Sequence, residues 1–369
     1  MKVLIMAGGT GGHVFPALAV AEALRARGDE VEWMGTETRM EGTLVPAAGF
    51  PLHAISVRGL RGNGLLGWAL APWRISVAVA QALNIMRRVR PAVVLGMGGF
   101  AAGPGGLAAR MLRRPLVIHE QNAVTGMTNG LLARHAARVL EGFPGSFAAR
   151  VGAVHTGNPV RADIAALPAP AQRYGARRGP LRLLVLGGSL GARALNEAVA
   201  GALAGLAAAE RPLVWHQAGA ANLADAQRAY AAHALTVGEQ AAPTAGLTLA
   251  PFIDDMAAAY GWADLVLCRA GALTVAELAA AGVASALVPY PHAVDDHQTR
   301  NAAYLVAQGA GVLIPQDALD GERVAALLRE YAGEAGRTRL LAMAEAARAR
   351  ALPDATARVV QHCLEVAHA

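Results

Sequence analysis

At 369 residues, with 54% hydrophobic and 16% charged side chains and a formal charge of +6, the chain is too long for one ordinary core and too apolar to be disordered. Two globular α/β domains are expected. Lys2 is the sole lysine, which excludes a Walker A loop and a pyridoxal Schiff base, and the arginine-borne positive charge favours anionic partners: nucleotide phosphates, nucleic acid or an acidic membrane surface.

The first half reads as strand 2–7, helix 16–27, strand 30–35, a helical stretch within 65–90, strand 92–95, helix 101–112 and strand 115–118. Short strands follow near 137–140 and 153–155. The second half reads as strand 182–186, helix 192–209, strand 212–216, helix 221–233, strands 246–250 and 264–267, helix 272–281, strand 284–288, helix 298–308 and strand 311–314. Such alternation predicts two Rossmann-like, doubly wound parallel sheets facing a cleft, with ligands at the carboxyl ends of the strands. The breaker-rich segment from Asp163 to Pro180 places a boundary near 160, giving domains 1–160 and 161–349. The tail is helical from Gly321, and its last helix, about 350–369, is expected to pack back on the first domain. The N-terminus reads as a strand and its turn rather than a signal peptide, and no run makes a clean membrane span. Cys268 and Cys363 match no zinc spacing or disulfide framework, which fits a reducing cytoplasm.

Two glycine-rich loops, Gly8-Gly9-Thr10-Gly11-Gly12-His13 and Gly187-Gly188-Ser189-Leu190-Gly191-Ala192, each join an apolar strand to an alanine-rich helix. Helix starts present unpaired N–H groups and partial positive charge, so both loops are candidate anion cradles; close helix packing alone also accounts for glycine there. Neither spells the dinucleotide fingerprint in full, and the second strand ends in Gly35 where a ribose-binding acid would stand. His13, at a helix N-terminus whose dipole favours the neutral imidazole, is either a proton acceptor or a loop histidine bonded to its own backbone. His119-Glu120-Gln121-Asn122 follows a strand directly, so its side chains either emerge over the cleft or cap the next helix. Arg161, closing Gly157-Asn158-Pro159-Val160-Arg161, has the planar fork that suits a diphosphate, though surface arginines are common.

Cys268 to Glu277 again runs from strand end to helix start, and Glu277 either accepts two ribose hydroxyls or sits on a solvated helix face. His292 to His297, with Asp295 and Asp296, reads as capping and sugar contacts before Gln298 and Asn301 rather than as a metal cluster, and no Asp-x-Asp motif occurs. Leu65, Leu66, Trp68, Leu70 and Trp73, flanked by Arg58, Arg61, Arg74, Arg87, Arg88 and Arg90, form either a bilayer-docking patch or a helix packed on its sheet.

Taken together, Gly8 to Pro16, Gly96 to Gly106, His119 to Asn122, Gly157 to Arg161, Gly187 to Ala192, Phe252 to Met256, Cys268 to Glu277 and Asp296 to Asn301 resemble, in order and over nearly the whole chain, the MurG family. That resemblance implies a glycosyltransferase-B architecture and an inverting, metal-independent, cofactor-free transfer of N-acetylglucosamine from UDP-N-acetylglucosamine to the 4-hydroxyl of lipid I, giving lipid II for peptidoglycan. It implies that Ser189, Ile253, Ala272, Leu273, Thr274, Val275, Ala276, Glu277 and Gln298 hold the donor, with Thr10, Gly11, Gly12, Asn122 and Arg161 completing its site. His13 is the implied catalytic base, and His119, Glu120, Asn129, Asn196 and Arg269 are acceptor-side or supporting residues. Work at the cytoplasmic face of the bacterial inner membrane, with an anionic bilayer and the undecaprenyl-linked acceptor as partners and no nucleic acid, is implied as well. Phe100 stands where family members can carry tyrosine, and His297 at a position that varies. Two competing readings are a UDP-N-acetylglucosamine 2-epimerase-like enzyme and a non-catalytic nucleotide-sugar-binding scaffold.

Overall fold

The computed structural model describes residues 1–57, 71–188, 191–238 and 246–368. Arg58, Arg61, Leu65, Leu66, Trp68 and Leu70 of the apolar patch, and Ser189 and Leu190 of the second glycine-rich loop, lie outside these described residues. The chain divides into two compact units, Met1–Arg161 with Leu352–Ala369, and Ala162–Ala351.

The first unit is built on seven strands: β1 (Lys2–Met6), β2 (Glu30–Gly35), β3 (Leu52–Ala54), β4 (Val93–Gly96), β5 (Leu116–Glu120), β6 (Arg138–Glu141) and β7 (Val154–His155). They pair in parallel in the order β3-β2-β1-β4-β5-β6-β7. Alternation along β1 sends Val3 and Ile5 into one core layer and Leu4 and Met6 into the other, so both faces are covered. The C-terminal helix Ala355–His368 joins this unit, its Val359, Val360, Cys363 and Val366 sharing a core with helix Gly11–Ala26.

The second unit repeats the plan with β8 (Arg182–Leu186), β9 (Leu213–Gln217), β10 (Val237–Gly238), β11 (Leu247–Ala250), β12 (Leu265–Cys268), β13 (Ala284–Leu287) and β14 (Gly311–Leu313), ordered β10-β11-β9-β8-β12-β13-β14. All pairs are parallel. Strand order reverses between β1 and β4 in the first sheet and between β8 and β12 in the second. A doubly wound sheet binds ligands at this reversal, beyond the strand carboxyl ends. The loops after those four strands are Gly8–Thr10, Gly98–Gly99, Gly187–Gly191 and Arg269–Gly271.

Two local readings need correction. The helix expected at 16–27 begins at Gly11 and runs to Ala26 with Pro16 inside it, so proline forfeits one backbone hydrogen bond instead of opening the helix. His13 therefore stands in the first helical turn. The helix Met40–Ala47 and strand β3 carry no clear sequence signal; Gly42 and Pro46 in an eight-residue helix hide its propensity.

Candidate functional site

In the first unit, the candidate site starts from His13. Its Nδ1 lies 3.4 Å from the Thr10 hydroxyl, and one edge of the ring lies against the loop after β4. Gly98 holds φ +91° there, and a Cβ on it would come within 2.5 Å of His13 Cδ2. Only glycine satisfies both the backbone and the imidazole. The partly exposed His13 and exposed Thr10 stand at the reversal point, while Gly11 is buried at the helix start.

His119 and Glu120 do not emerge from the end of β5. Both are buried, at 0% and 3% exposure, because their polar atoms are consumed in shaping the loops behind the site. His119 Nε2 pairs with Gly157 O at 2.9 Å and its Nδ1 with Gln121 Nε2 at 3.2 Å. Donation from Nε2–H to the carbonyl and acceptance at Nδ1 require a neutral ring, and burial pushes the imidazole down to about 4. The Glu120 carboxylate accepts from Asn122 N, Asn122 Nδ2, Gly126 N and Asn129 Nδ2 at 2.9–3.3 Å. It thereby fixes Asn122, half-buried, and Asn129, fully buried. Asn158 donates to Gln121 O, and the Arg161 guanidinium lies 5.5 Å from the Phe15 ring. Arg161 is thus drawn to the helix that carries His13.

In the second unit, candidate groups gather at β8 and β12. Gln217 at the end of β9 donates to Gly188 O at 3.3 Å and accepts from Ile253 N at 3.1 Å, tying the glycine-rich loop to the segment after β11. The Ile253 N–H is thereby engaged by the Gln217 side chain. Helix Ala272–Ala281 starts at the end of β12 with Gly271 as N-cap, and Asn301 braces the turn by donating to Ala270 O at 3.2 Å. Its first turn, Ala272, Leu273 and Thr274, points backbone N–H groups outward from a positive helix end. Val275 is fully buried with its N–H on Gly271 O, while Ala276 is half-buried.

Glu277, one turn further, is 5% exposed, and Tyr260 Oη donates to its Oε2 at 3.1 Å. Sequence pattern does not link that phenol to Glu277, because it lies 17 residues away on another helix. Gln298 accepts from Tyr290 N at 2.9 Å. Arg269 is a brace: it donates to Val288 O, Pro289 O and Gln316 Oε1 and stacks over Tyr290. Asn196 is buried beside His216, accepting from Nε2 at 2.9 Å, while Tyr230 donates to His216 Nδ1 at 2.6 Å. Burial pushes His216 down to about 3. His297 caps its own turn through Val294 O, and Thr299 donates to Asp296 Oδ1. The open depression of about 740 Å³ on this unit is lined by Asp163, Asp254 and Asp255, the wrong charge for a diphosphate.

The chain matches the glycosyltransferase family 28 N-terminal domain over residues 3–141 and the family 28 C-terminal domain over 182–359. It is similar to the UDP-N-acetylglucosamine–N-acetylmuramyl-(pentapeptide) pyrophosphoryl-undecaprenol N-acetylglucosamine transferases of Alkalilimnicola ehrlichii and Marinobacter nauticus, at 56% and 53% identity. All of this chain aligns in both cases, with 99% and 98% of those proteins. Among solved structures it resembles MurG of Acinetobacter baumannii, with TM-score 0.79 and 42% identity over 99% of both chains. The glycosyltransferase VinC, solved with dTDP, shares the fold at TM-score 0.65 and 16% identity over the full length of both chains.

Proposed function

Because this chain belongs to the MurG family within glycosyltransferase family 28, we propose an assignment of roles for each unit in its reaction. The protein is an N-acetylglucosaminyltransferase of glycosyltransferase-B type. It moves N-acetylglucosamine from UDP-N-acetylglucosamine to the muramyl sugar of lipid I, giving lipid II. The observation that carries this reaction is end-to-end similarity to transferases of that name, which favours transfer over isomerisation or mere binding.

In this reading the second unit holds the donor nucleotide. The Ile253 carbonyl accepts from the uracil, Glu277 accepts the ribose hydroxyls, and the start of helix Ala272–Ala281 with the Gly187–Gly191 loop takes the diphosphate. Gln298 contacts the sugar. The first unit supplies the chemistry, with Thr10, Gly11, Gly12 and Asn122 at the sugar end. The acceptor 4-hydroxyl attacks the anomeric carbon, its proton passes to His13, and the bond to UDP breaks with inversion, its electron pair leaving on the diphosphate oxygen. General-base help of this kind is worth about 10²–10⁴-fold. Helix-start N–H groups and Arg161 meet the charge growing on UDP, so no metal ion enters the scheme.

A lipid-linked acceptor calls for a membrane-facing surface. Among the described residues no helix is long and apolar enough to cross a membrane. The first unit instead exposes Trp73, Ile75, Leu107, Met111, Met127 and Leu131 on three neighbouring helices. Arg74, Arg110, Arg113 and Arg134 stand exposed among them. Apolar anchors beside arginines suit the anionic cytoplasmic face of the inner membrane. Incubation with labelled UDP-N-acetylglucosamine and a lipid-linked muramyl acceptor tests the whole reading. Label in the lipid product supports it; isomerised donor, or binding without product, overturns it.

A further inference from the structure

The first glycine-rich loop already holds an anion, and that anion is part of the chain. Glu41, second residue of helix Met40–Ala47, is 1% exposed. Its Oε2 accepts from Gly9 N at 2.9 Å, and its Oε1 from Thr36 N at 3.2 Å and the Thr36 hydroxyl at 2.7 Å. Three donors from the loops after β1 and β2 converge on one acceptor-only group, the arrangement a strand-to-helix turn offers a phosphate oxygen. The backbone is shaped to it: a Cβ on Gly8 would collide with the carboxylate, and one on Gly35 would come within 2.9 Å of Glu41 Cγ. On its other side the Gly8 backbone packs so closely that a Cβ on Gly99 would run into it, and the neighbouring Gly98 abuts the His13 ring. Glu41, the Gly8–Gly9 turn, the Gly98–Gly99 loop and the imidazole therefore form one continuous stack.

We propose that Glu41 is the built-in anion of this loop: it fills the place a phosphate would take at Gly9 and sets the turn against which His13 is positioned. Recognition of the donor's diphosphate then falls to the second unit and Arg161, not to this loop. Glu41 is a positioning residue, since it acts through the turn and not on the substrate. This inference rests on the transfer reaction proposed above and assigns the first loop within it.

The test is Glu41→Ala in the full-length protein, assayed with UDP-N-acetylglucosamine and the lipid-linked acceptor, with UDP affinity measured separately by calorimetry. The expected result is a fall in kcat of about tenfold or more with the Kd for UDP within about twofold, because the lost contacts lie off the nucleotide site. Formate, a carboxylate small enough for the space left by the side chain, restores at least about threefold of the lost turnover, which packing loss alone would not allow. A variant with wild-type kcat, a loss of UDP affinity matching the loss of rate, or a turnover deaf to formate overturns the proposal. Should the alanine variant not fold, Glu41→Gln decides. Its amide must turn an N–H toward one of the three donors, so turnover falls while UDP affinity holds, and retention of full turnover overturns the proposal. A wild-type protein that transfers no sugar defeats the reading of the reaction; an active one beside a fully active Glu41 variant defeats this inference alone.

Discussion

Each of the two glycine-rich loops joins a strand to a helix, and the two differ in what braces them. The loop after β1 is held by the Glu41 carboxylate, which takes a backbone N–H from Gly9. The loop after β8 is held by the neutral Gln217 amide, which takes a carbonyl, Gly188 O. One brace sets a carboxylate against a backbone donor of its turn; the other is a neutral amide that donates to a backbone carbonyl. The roles proposed above follow this difference: a carboxylate beside the first turn disfavours a further anion there, whereas a neutral amide beside the second does not.

The sharpest way to break this division is to attack the first loop and look for an effect on the second. His13→Ala should lower kcat by about 10²–10⁴-fold while the Kd for UDP stays within about twofold. Gly98→Ala should move the same parameter in the same direction, since the methyl group would displace a chemically intact imidazole. Single-turnover rates and calorimetry on the two variants separate the parameters. Donor affinity falling with rate in either variant would mean that the first loop holds nucleotide after all.

Acid is expected to strain both units through one buried histidine each. His119 and His216 titrate at about 4 and about 3 in the folded chain against an ordinary 6.5, both lowered by burial. Between 6.5 and those values the unfolded chain binds the extra proton, so the stabilising effect is whole above pH 6.5 and drains as pH falls through the window. Between pH 6.5 and 5 the loss is about 2 kcal/mol per histidine. Urea denaturation at several pH values should show that slope, reduced by about one proton in His119→Gln and in His216→Gln separately. A slope unchanged in both variants would mean that neither ring is held neutral.

Glu277→Ala is the reciprocal of the His13 experiment. Loss of a carboxylate that accepts ribose hydroxyls should raise KM for UDP-N-acetylglucosamine by about tenfold to a hundredfold, with kcat at saturating donor falling far less. Steady-state kinetics over a wide donor range settles it. An unchanged KM would remove Glu277 from the nucleotide site.

Much of this architecture was legible because buried parallel strands are written as apolar runs closed by glycine. The reading of 30–35, 182–186 and 272–281 matches the structure residue for residue. The glycine loops and His13 were legible for the same reason, as each sits directly after such a run. Glu41 at Gly9, Gln217 at Ile253 and Tyr260 at Glu277 were not, because these bonds span 17 to 36 residues of sequence and only the closed fold brings the partners near. His119 and Glu120 were legible as chemistry but not as location. The carboxyl end of a parallel strand suggests exposure, whereas here the demand of two loops for internal hydrogen bonds turns both side chains inward.

The mildest perturbation draws the division between units most finely. Tyr260 is 1% exposed and contributes one hydroxyl to Glu277, so Tyr260→Phe removes a single donor and leaves the ring's packing intact. The carboxylate then keeps its charge but loses the contact that fixes one oxygen, and it must be ordered by the ribose at the cost of binding energy. Hydrogen bonds to charged groups contribute about 1.5–3 kcal/mol, part of which rearrangement of the carboxylate recovers, so KM for the donor should rise about threefold to tenfold. Because the phenol is buried in the second unit beside Glu277, kcat should stay within about twofold. Kinetics of this variant beside Glu277→Ala, and of the double variant, measure the coupling directly. If the phenol acts only through Glu277, its removal from the alanine background should change nothing further, and a second, additive loss would assign Tyr260 an independent contact with the nucleotide.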